Sequence, residues 1–270
     1  MKKKYLPFLI IGVSILLFFT IVAIFPQLFT SYDRKMSFGP WLSPSKEHLL
    51  GTNSLGYDIW TELIYGTKDT MLVGILSSIL TIVIGLVVGI LAAQKGIIGA
   101  IFNGLINIFV LIPKLITLIV LAAFIGSSNL NLIILIALFP WVGLARSVRA
   151  KIIHMKTEPF IEVCSLYGYS KYHTVIHHIL PNLKDIILSK FLLSITGCIM
   201  MESTLSFLGF GNIYYPTWGV MINFARSKGA LIRGAYNYLL SPCICIMLLS
   251  LSFYFISLYI DAKSSTIQEI

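Results

Sequence analysis

The chain has 270 residues, of which 57% are apolar and only 11% charged. Soluble domains carry about 25% charged residues, so this composition excludes an ordinary water-soluble enzyme or binding domain. The formal net charge of +9 would suit a nucleic-acid partner only if a basic surface stood apart from the membrane, and none does.

The apolar residues gather in runs near the length that crosses about 30 Å of hydrocarbon. Alternating ten-residue strands are absent, which excludes a β-barrel. The fold class is therefore all-α integral membrane, with six transmembrane helices over Leu6–Phe25, Met71–Ala93, Ile97–Phe124, Leu130–Leu144, Ile186–Gly209 and Leu239–Ile260. The fourth is the shortest and is interrupted by Pro140.

Lys2, Lys3 and Lys4 precede the first run, as in a secretory leader, but Phe25-Pro26-Gln27 stands where a small-x-small cleavage site would follow. The expectation is an uncleaved first helix within an N-terminal unit over residues 1–30. An extracytoplasmic segment covers 31–70. Its Tyr57–Tyr65 stretch places Ile59, Leu63 and Trp60 on one face, which suits a helix lying along the outer interface. A core of five helices covers 71–262, and a tail covers 263–270.

Basic residues set the orientation. With the N-terminus inside, the inner segments carry Lys2, Lys3, Lys4, Lys95, Arg146, Arg149, Lys151, Lys156, Lys171, Lys184 and Lys263. The outer segments carry Arg34, Lys35, Lys46, Lys68, Arg226, Lys228 and Arg233. The inner excess predicts N-in/C-in, as a multi-pass protein of the cell membrane. The second outer segment, Phe210–Tyr238, adds Tyr214, Tyr215 and Trp218 as candidate interfacial anchors.

Two charges lie within spans. Lys114, beside Pro113, costs at least about 2.5 kcal/mol on insertion scales. It either lines a pathway, or snorkels or pairs inside the bundle. Glu202, in the outer half of the fifth span, has the same pair of readings, pathway or structural.

The inner segment of about 150–184, between spans four and five, is basic, His-rich and amphipathic. Thr157 can cap a helix whose second residue is Pro159, with Phe160, Cys164 and Tyr167 sharing a face. Gly168 ends or turns it. Ser170 can cap a second helix that carries Tyr172, Val175, Ile176 and Ile179 on one stripe, ended by Pro181. Such a segment is a docking knob for a soluble partner or an amphipathic linker on the lipid surface; pattern alone leaves both open. His173, His177 and His178 lack a carboxylate or cysteine placed to complete a metal site. Cys243 and Cys245 point to different helix faces and do not converge on a metal. No metal or cofactor is expected.

The segment resembles the EAA loop of permease subunits of ATP-binding-cassette (ABC) importers. Glu162, Gly168, Leu180 and Pro181 match that pattern in register, and Val163 and Cys164 replace its two alanines. Gly51-Thr52-Asn53-Ser54-Leu55-Gly56-Tyr57-Asp58 with Leu63-Ile64-Tyr65-Gly66 is similar to the GTDxLGRD…LxYG signature of the C-type permease of peptide and nickel importers. Asn53 and Tyr57 replace an Asp and an Arg of that signature. Ser206-Phe207-Leu208-Gly209-Phe210-Gly211 with Pro216-Thr217-Trp218-Gly219 is similar to its SFLGLG…PxWG stretch. Pro113, Trp141 and Ala145-Arg146 also fit, and Asn107 stands where the family often has Asp. The resemblance covers nearly all of the chain after residue 48.

The resemblance implies a type I ABC importer permease fold with a cytoplasmic coupling helix. Glu162, Val163, Cys164, Tyr167, Gly168, Leu180 and Pro181 would meet the ATPase. It implies as partners a homologous second permease, two ATP-binding ATPase subunits, an extracytoplasmic substrate-binding protein and membrane lipid. The cargo would be peptides, nickel or another metal chelate, moved by alternating access. No G-x-x-x-x-G-K-[ST] occurs, so this chain does not cradle ATP by that route. The rival class is an ion-coupled secondary transporter with Lys114 and Glu202 as coupling residues; it would need no knob.

Overall fold

The structure, a computed structural model, describes the backbone of residues 2–267. The side chains at 2, 3, 160, 162, 163, 165, 171, 172 and 176, and from 264 onward, lie outside the described residues. Within these limits the chain is all-helical apart from two isolated bridges, Ser37 with Tyr57 and Thr52 with Asp58. Five helices are long and apolar enough to cross a membrane, and a sixth span follows if one bent pair counts as one.

Helix α1, Lys2–Ile24, packs on the long C-terminal helix α12, Tyr236–Ile267. Helix α2, Ile59–Ala92, is the central mast. It touches α1, α6 (Trp141–Met155) and α10 (Lys184–Leu205), and α10 in turn lies along α12. Apolar side chains have no aqueous phase to flee inside lipid, so close van der Waals packing must join the helices. Accordingly α2 turns its small residues inward, with Gly74, Ser77, Ser78, Thr81, Gly85 and Gly89 all buried. At Gly74 a Cβ would collide with Cγ1 of Ile199 on α10, so only glycine admits this crossing.

At about 1.5 Å per residue α2 is far longer than the hydrocarbon core is thick. Tyr57–Tyr65 was expected to lie along the interface. Its helical part instead continues straight into the second span, because Ile59 and Leu63 are buried in the same core as Phe19 and Trp218 and not turned to lipid. Asp58 starts the helix by accepting from the Thr61 amide at 2.7 Å, and its other oxygen meets His48 Nδ1 at 3.0 Å.

The third span differs from expectation too. It is not one helix over Ile97–Phe124 but α3, Ile97–Leu111, and α4, Lys114–Ile125, bent by 88°. Pro113 has no N–H to continue the ladder, and its ring pushes Ile112 into extended backbone (φ −72°, ψ 126°). Helix α5, Asn129–Ala137, starts at Ser128, whose hydroxyl accepts from the Asn131 amide. A short turn through Pro140 leads to α6, which carries the fourth span inward to Met155, well past Leu144.

The inner segment folds as α7, Pro159–Leu166, and α8, Lys171–Thr174. A π turn over Val175–Ile179 and the short α9, Leu180–Asn182, complete it. A second π turn, Ser206–Phe210, ends α10, and the outer α11, Trp218–Ser227, precedes α12.

The Gly74 crossing yields a direct test. Gly74→Leu must displace Ile199, at a cost of about 1–3 kcal/mol for overpacking, and should lower the melting temperature and folded yield in detergent. Gly104→Leu on α3, where a Cβ meets nothing within 4 Å, should leave both unchanged.

Candidate functional site

The inner knob is built on the ends of α2 and α6. Arg149 Nε donates to the Ala92 carbonyl at 3.2 Å and Lys156 Nζ to the Ala93 carbonyl at 2.7 Å. Each ties α6 to carbonyls that the end of α2 leaves without helical partners. Val175, Ile179 and Leu183 are buried against Val148, Ile152 and Met155. The second half of the knob is thus an extension of the bundle's core and not a linker lying on lipid.

Of the expected face of Phe160, Cys164 and Tyr167, the last two part company. Cys164 is buried at 7% exposure, whereas Tyr167, past the end of α7, is 77% exposed. Phe160, Glu162 and Val163 have side chains outside the described residues. Gly168 has φ +73°, the left-handed region that ends a helix, and the Tyr169 amide bonds the Cys164 carbonyl across that turn. Leu166 and Tyr169 flank it, exposed by 81% and 48%. The projecting tip is therefore Leu166-Tyr167-Gly168-Tyr169, an apolar and aromatic patch of the kind that marks an interaction site.

The Thr157 hydroxyl donates to the His154 carbonyl and closes the end of α6. Ser170 does cap the second helix, accepting from the His173 amide at 3.1 Å. Pro181 does not stop it. The missing N–H is absorbed upstream, where the Leu180 amide bonds the Val175 carbonyl in a π turn, and Leu180-Pro181 lie within a continuing helical path. On the outside of this helix the rings of Tyr169, His173 and His177 stack at 4.6 and 4.2 Å, an arrangement that spacing alone did not suggest.

Glu202 is fully buried. Its carboxylate accepts from Ser206 Oγ and Thr217 Oγ1, both at 2.6 Å, and from Ser203 Oγ at 3.3 Å. Thr217 also caps α11, accepting from the Val220 amide. Next to it Trp218 donates its amide to Thr70 Oγ1 and its indole N–H to the Leu63 carbonyl, each at 3.0 Å. Arg34 pairs with Asp69 at 2.8 Å and donates to the Pro216 carbonyl at 3.1 Å. Pro216-Thr217-Trp218 is thus a latch that fastens the outer loops to α2 and α10.

The Asn53 signature is a second knot. Its side-chain oxygen accepts from the Leu55 and Tyr57 amides, and its Nδ2 donates to Glu62 at 2.9 Å. Sequence reasoning placed these motifs but not their contacts; hydroxyl and carboxylate residues clustered at span ends were the available signal.

Lys114 is the first residue of α4, exposed at the 88° break. It is neither deep in a continuous span nor ion-paired within the described residues. The structure does not bring Lys114 and Glu202 together as a coupled pair: one is exposed and the other is enclosed by hydroxyls. Among the described residues no group of three His, Cys, Asp or Glu side chains could hold a metal.

Residues 82–266 match the family described as binding-protein-dependent transport system inner membrane component. A dipeptide transport system permease protein of Alkalihalophilus pseudofirmus is 31% identical over 257 residues, covering 94% of this chain and 83% of the relative. One of Bacillus subtilis is 29% identical over 216 residues, covering 78% and 68%. A glutathione transport system permease protein of Pectobacterium atrosepticum is 31% identical over 212 residues, covering 78% and 69%.

The Glu202 hub generates a prediction. Glu202→Leu would strand three buried hydroxyls, at about 1–3 kcal/mol each, read as a lower melting temperature in detergent. Glu202→Gln, which keeps the volume and one acceptor, should lose less. Transport per folded molecule should be preserved in Glu202→Gln if the carboxylate is structural; its abolition in a well-folded variant would show a direct role in transport.

Proposed function

The chain belongs to the inner membrane components of binding-protein-dependent transport systems, and from that premise we propose that it pairs with a homologous second permease to form the passage of a peptide importer. It is the permease subunit of an ABC importer, and ATP hydrolysis resides on partner subunits. The ion-coupled alternative falls with this membership. Peptides take precedence over nickel as the proposed cargo because the relatives are named for dipeptide and glutathione transport. The N-in/C-in orientation completes the proposal, since it puts the knob on the cytoplasmic side, where the ATPases work.

The observation that carries the mechanism is the docked knob. Its tip, Leu166-Tyr167-Gly168-Tyr169, is exposed, and its base, Val175, Ile179 and Leu183, is part of the core. An ATPase that grips the tip moves the base as a rigid body, and packed bundles answer such displacements by switching between discrete arrangements. Glu162, Val163 and Cys164 precede the tip, with buried Cys164 anchoring it. Leu180 and Pro181 close the path back to α10. Lys114 belongs to the passage and Glu202 to its scaffold. The extracytoplasmic binding protein would deliver cargo to the outer loops that the latch around Trp218 holds.

Two substitutions test the coupling role. Gly168→Leu forces a leucine into the left-handed region at a cost of about 1–2 kcal/mol, with no side chain nearby to clash. It should leave membrane insertion intact while uptake and substrate-stimulated ATP hydrolysis fall together. Glu162→Lys reverses a charge in a basic segment and should reduce co-purification of the ATPases. Normal ATPase recovery and uptake in both variants would return the segment to the role of an inert linker.

A further inference from the structure

A groove of about 700 Å³ runs between α2 and α10. Ile79 and Val83 of α2 form one wall and Leu188 and Phe191 of α10 the other, and Pro181 and Lys184 stand at the end next to the knob. The two helices meet beside it, where the hydroxyl of buried Ser78 donates to the Phe191 carbonyl at 3.2 Å. Ile79, Val83 and Leu188 are exposed by 46%, 53% and 48%. Apolar side chains of that size, contiguous and uncovered, mark a surface that another apolar body meets.

The lining decides what kind of body. Helices that pack within a membrane approach one another on small residues, as α2 does elsewhere through Gly74, Ser77, Gly85 and Gly89. No glycine, alanine or serine lines the groove. Its branched and aromatic walls would hold a further helix off, whereas a flexible hydrocarbon chain can settle between them. The length agrees. At about 1.5 Å per residue the path from Pro181 to Phe191 is roughly 15 Å, half of a hydrocarbon core about 30 Å thick and so the depth of one leaflet.

Lys184 is the one charged residue of the lining. It opens α10, is exposed, and makes no ion pair among the described residues. Asp185 follows it but points about 100° further round the helix. An ammonium at the mouth of a groove between spans suits the phosphate of an anionic lipid. The groove of about 540 Å³ between α10 and α12 has no charged residue in its lining and offers a headgroup no such handle.

We propose that the groove between α2 and α10 is a binding site for an anionic phospholipid, with one acyl chain between Val83 and Leu188 and the headgroup phosphate at Lys184. The site requires only that the chain sits in a bilayer, so its failure would leave the importer reading untouched. The test uses the purified assembly that contains this chain, in vesicles of phosphatidylcholine and phosphatidylglycerol in equal parts. A trace of either lipid carries a photoreactive diazirine on one acyl chain, and the labelled peptides are mapped by mass spectrometry. Labelled phosphatidylglycerol should mark the groove walls, and Lys184→Gln should reduce that mark about fivefold. Labelled phosphatidylcholine should mark them weakly and equally in both proteins. Val83→Trp, which fills the groove, should reduce the phosphatidylglycerol mark further. Ile101→Trp, at a 61% exposed position on α3, should leave it unchanged. Should Val83→Trp fail to fold, Lys184→Gln still decides, because it alters an exposed side chain outside the core. Equal marking by the two lipids, or an unchanged mark in Lys184→Gln, would overturn the proposal by showing ordinary surrounding lipid. A photoreactive side chain at Val83 that cross-links to the second permease and not to lipid would overturn it too, assigning the groove to the subunit interface.

Discussion

Movement imposed on the inner knob can reach the spans only because Val175, Ile179 and Leu183 are buried against Val148, Ile152 and Met155. Without that contact the segment would slide over the lipid surface, and its exposed tip would transmit nothing. Apolar burial here lies at the aqueous end of the bundle, where the hydrophobic effect operates in full. Further into the membrane the helices must rely on close fit. The subunit thus uses two kinds of cohesion, and the knob sits at their junction. Arg149 and Lys156 reinforce it by bonding the last carbonyls of α2, which ties the mast to the base of the knob.

The opposite end of the mast is fixed differently. Trp218 bonds both Thr70 and the Leu63 carbonyl, and Glu202 gathers three hydroxyls beneath it. These are directional polar contacts in a low-dielectric setting, where a fully satisfied network specifies one arrangement. One end of α2 is therefore gripped by a packed apolar base and the other by a polar latch. A rigid α2 between them would relate events at the ATPase to the outer loops, which is the requirement of alternating access.

The spans were legible because hydrocarbon thickness dictates their length, and Gly168 and Ser170 because their backbone roles are local. The failures have physical causes. A hydropathy window averages across Pro113 and does not see that Ile112 turns extended, so two helices bent by 88° read as one span. The Ile59–Leu63 face looked interfacial because its cover, Phe19 and Trp218, comes from remote parts of the chain. Pro181 read as a stop because local rules do not anticipate a π turn upstream that absorbs the missing N–H. Glu202 was visible as a charge, but its three donors come from its own helix and from a loop beyond, and only the fold brings them together. The contact of Arg146 with Asn107 joins different helices in the same way.

Rigid coupling is most directly tested by distance measurements between spin labels at Tyr167, on the knob, and Lys95, at the inner end of the mast, in the complete importer. The same assembly would carry a second pair between Lys95 and the partner permease. Between the nucleotide-free and ATP-bound states the account predicts an unchanged Tyr167–Lys95 distance and a shifted distance to the partner. A Tyr167–Lys95 distance that changes by several ångströms while the partner distance stays fixed would show that the knob moves without its bundle, and would contradict the account.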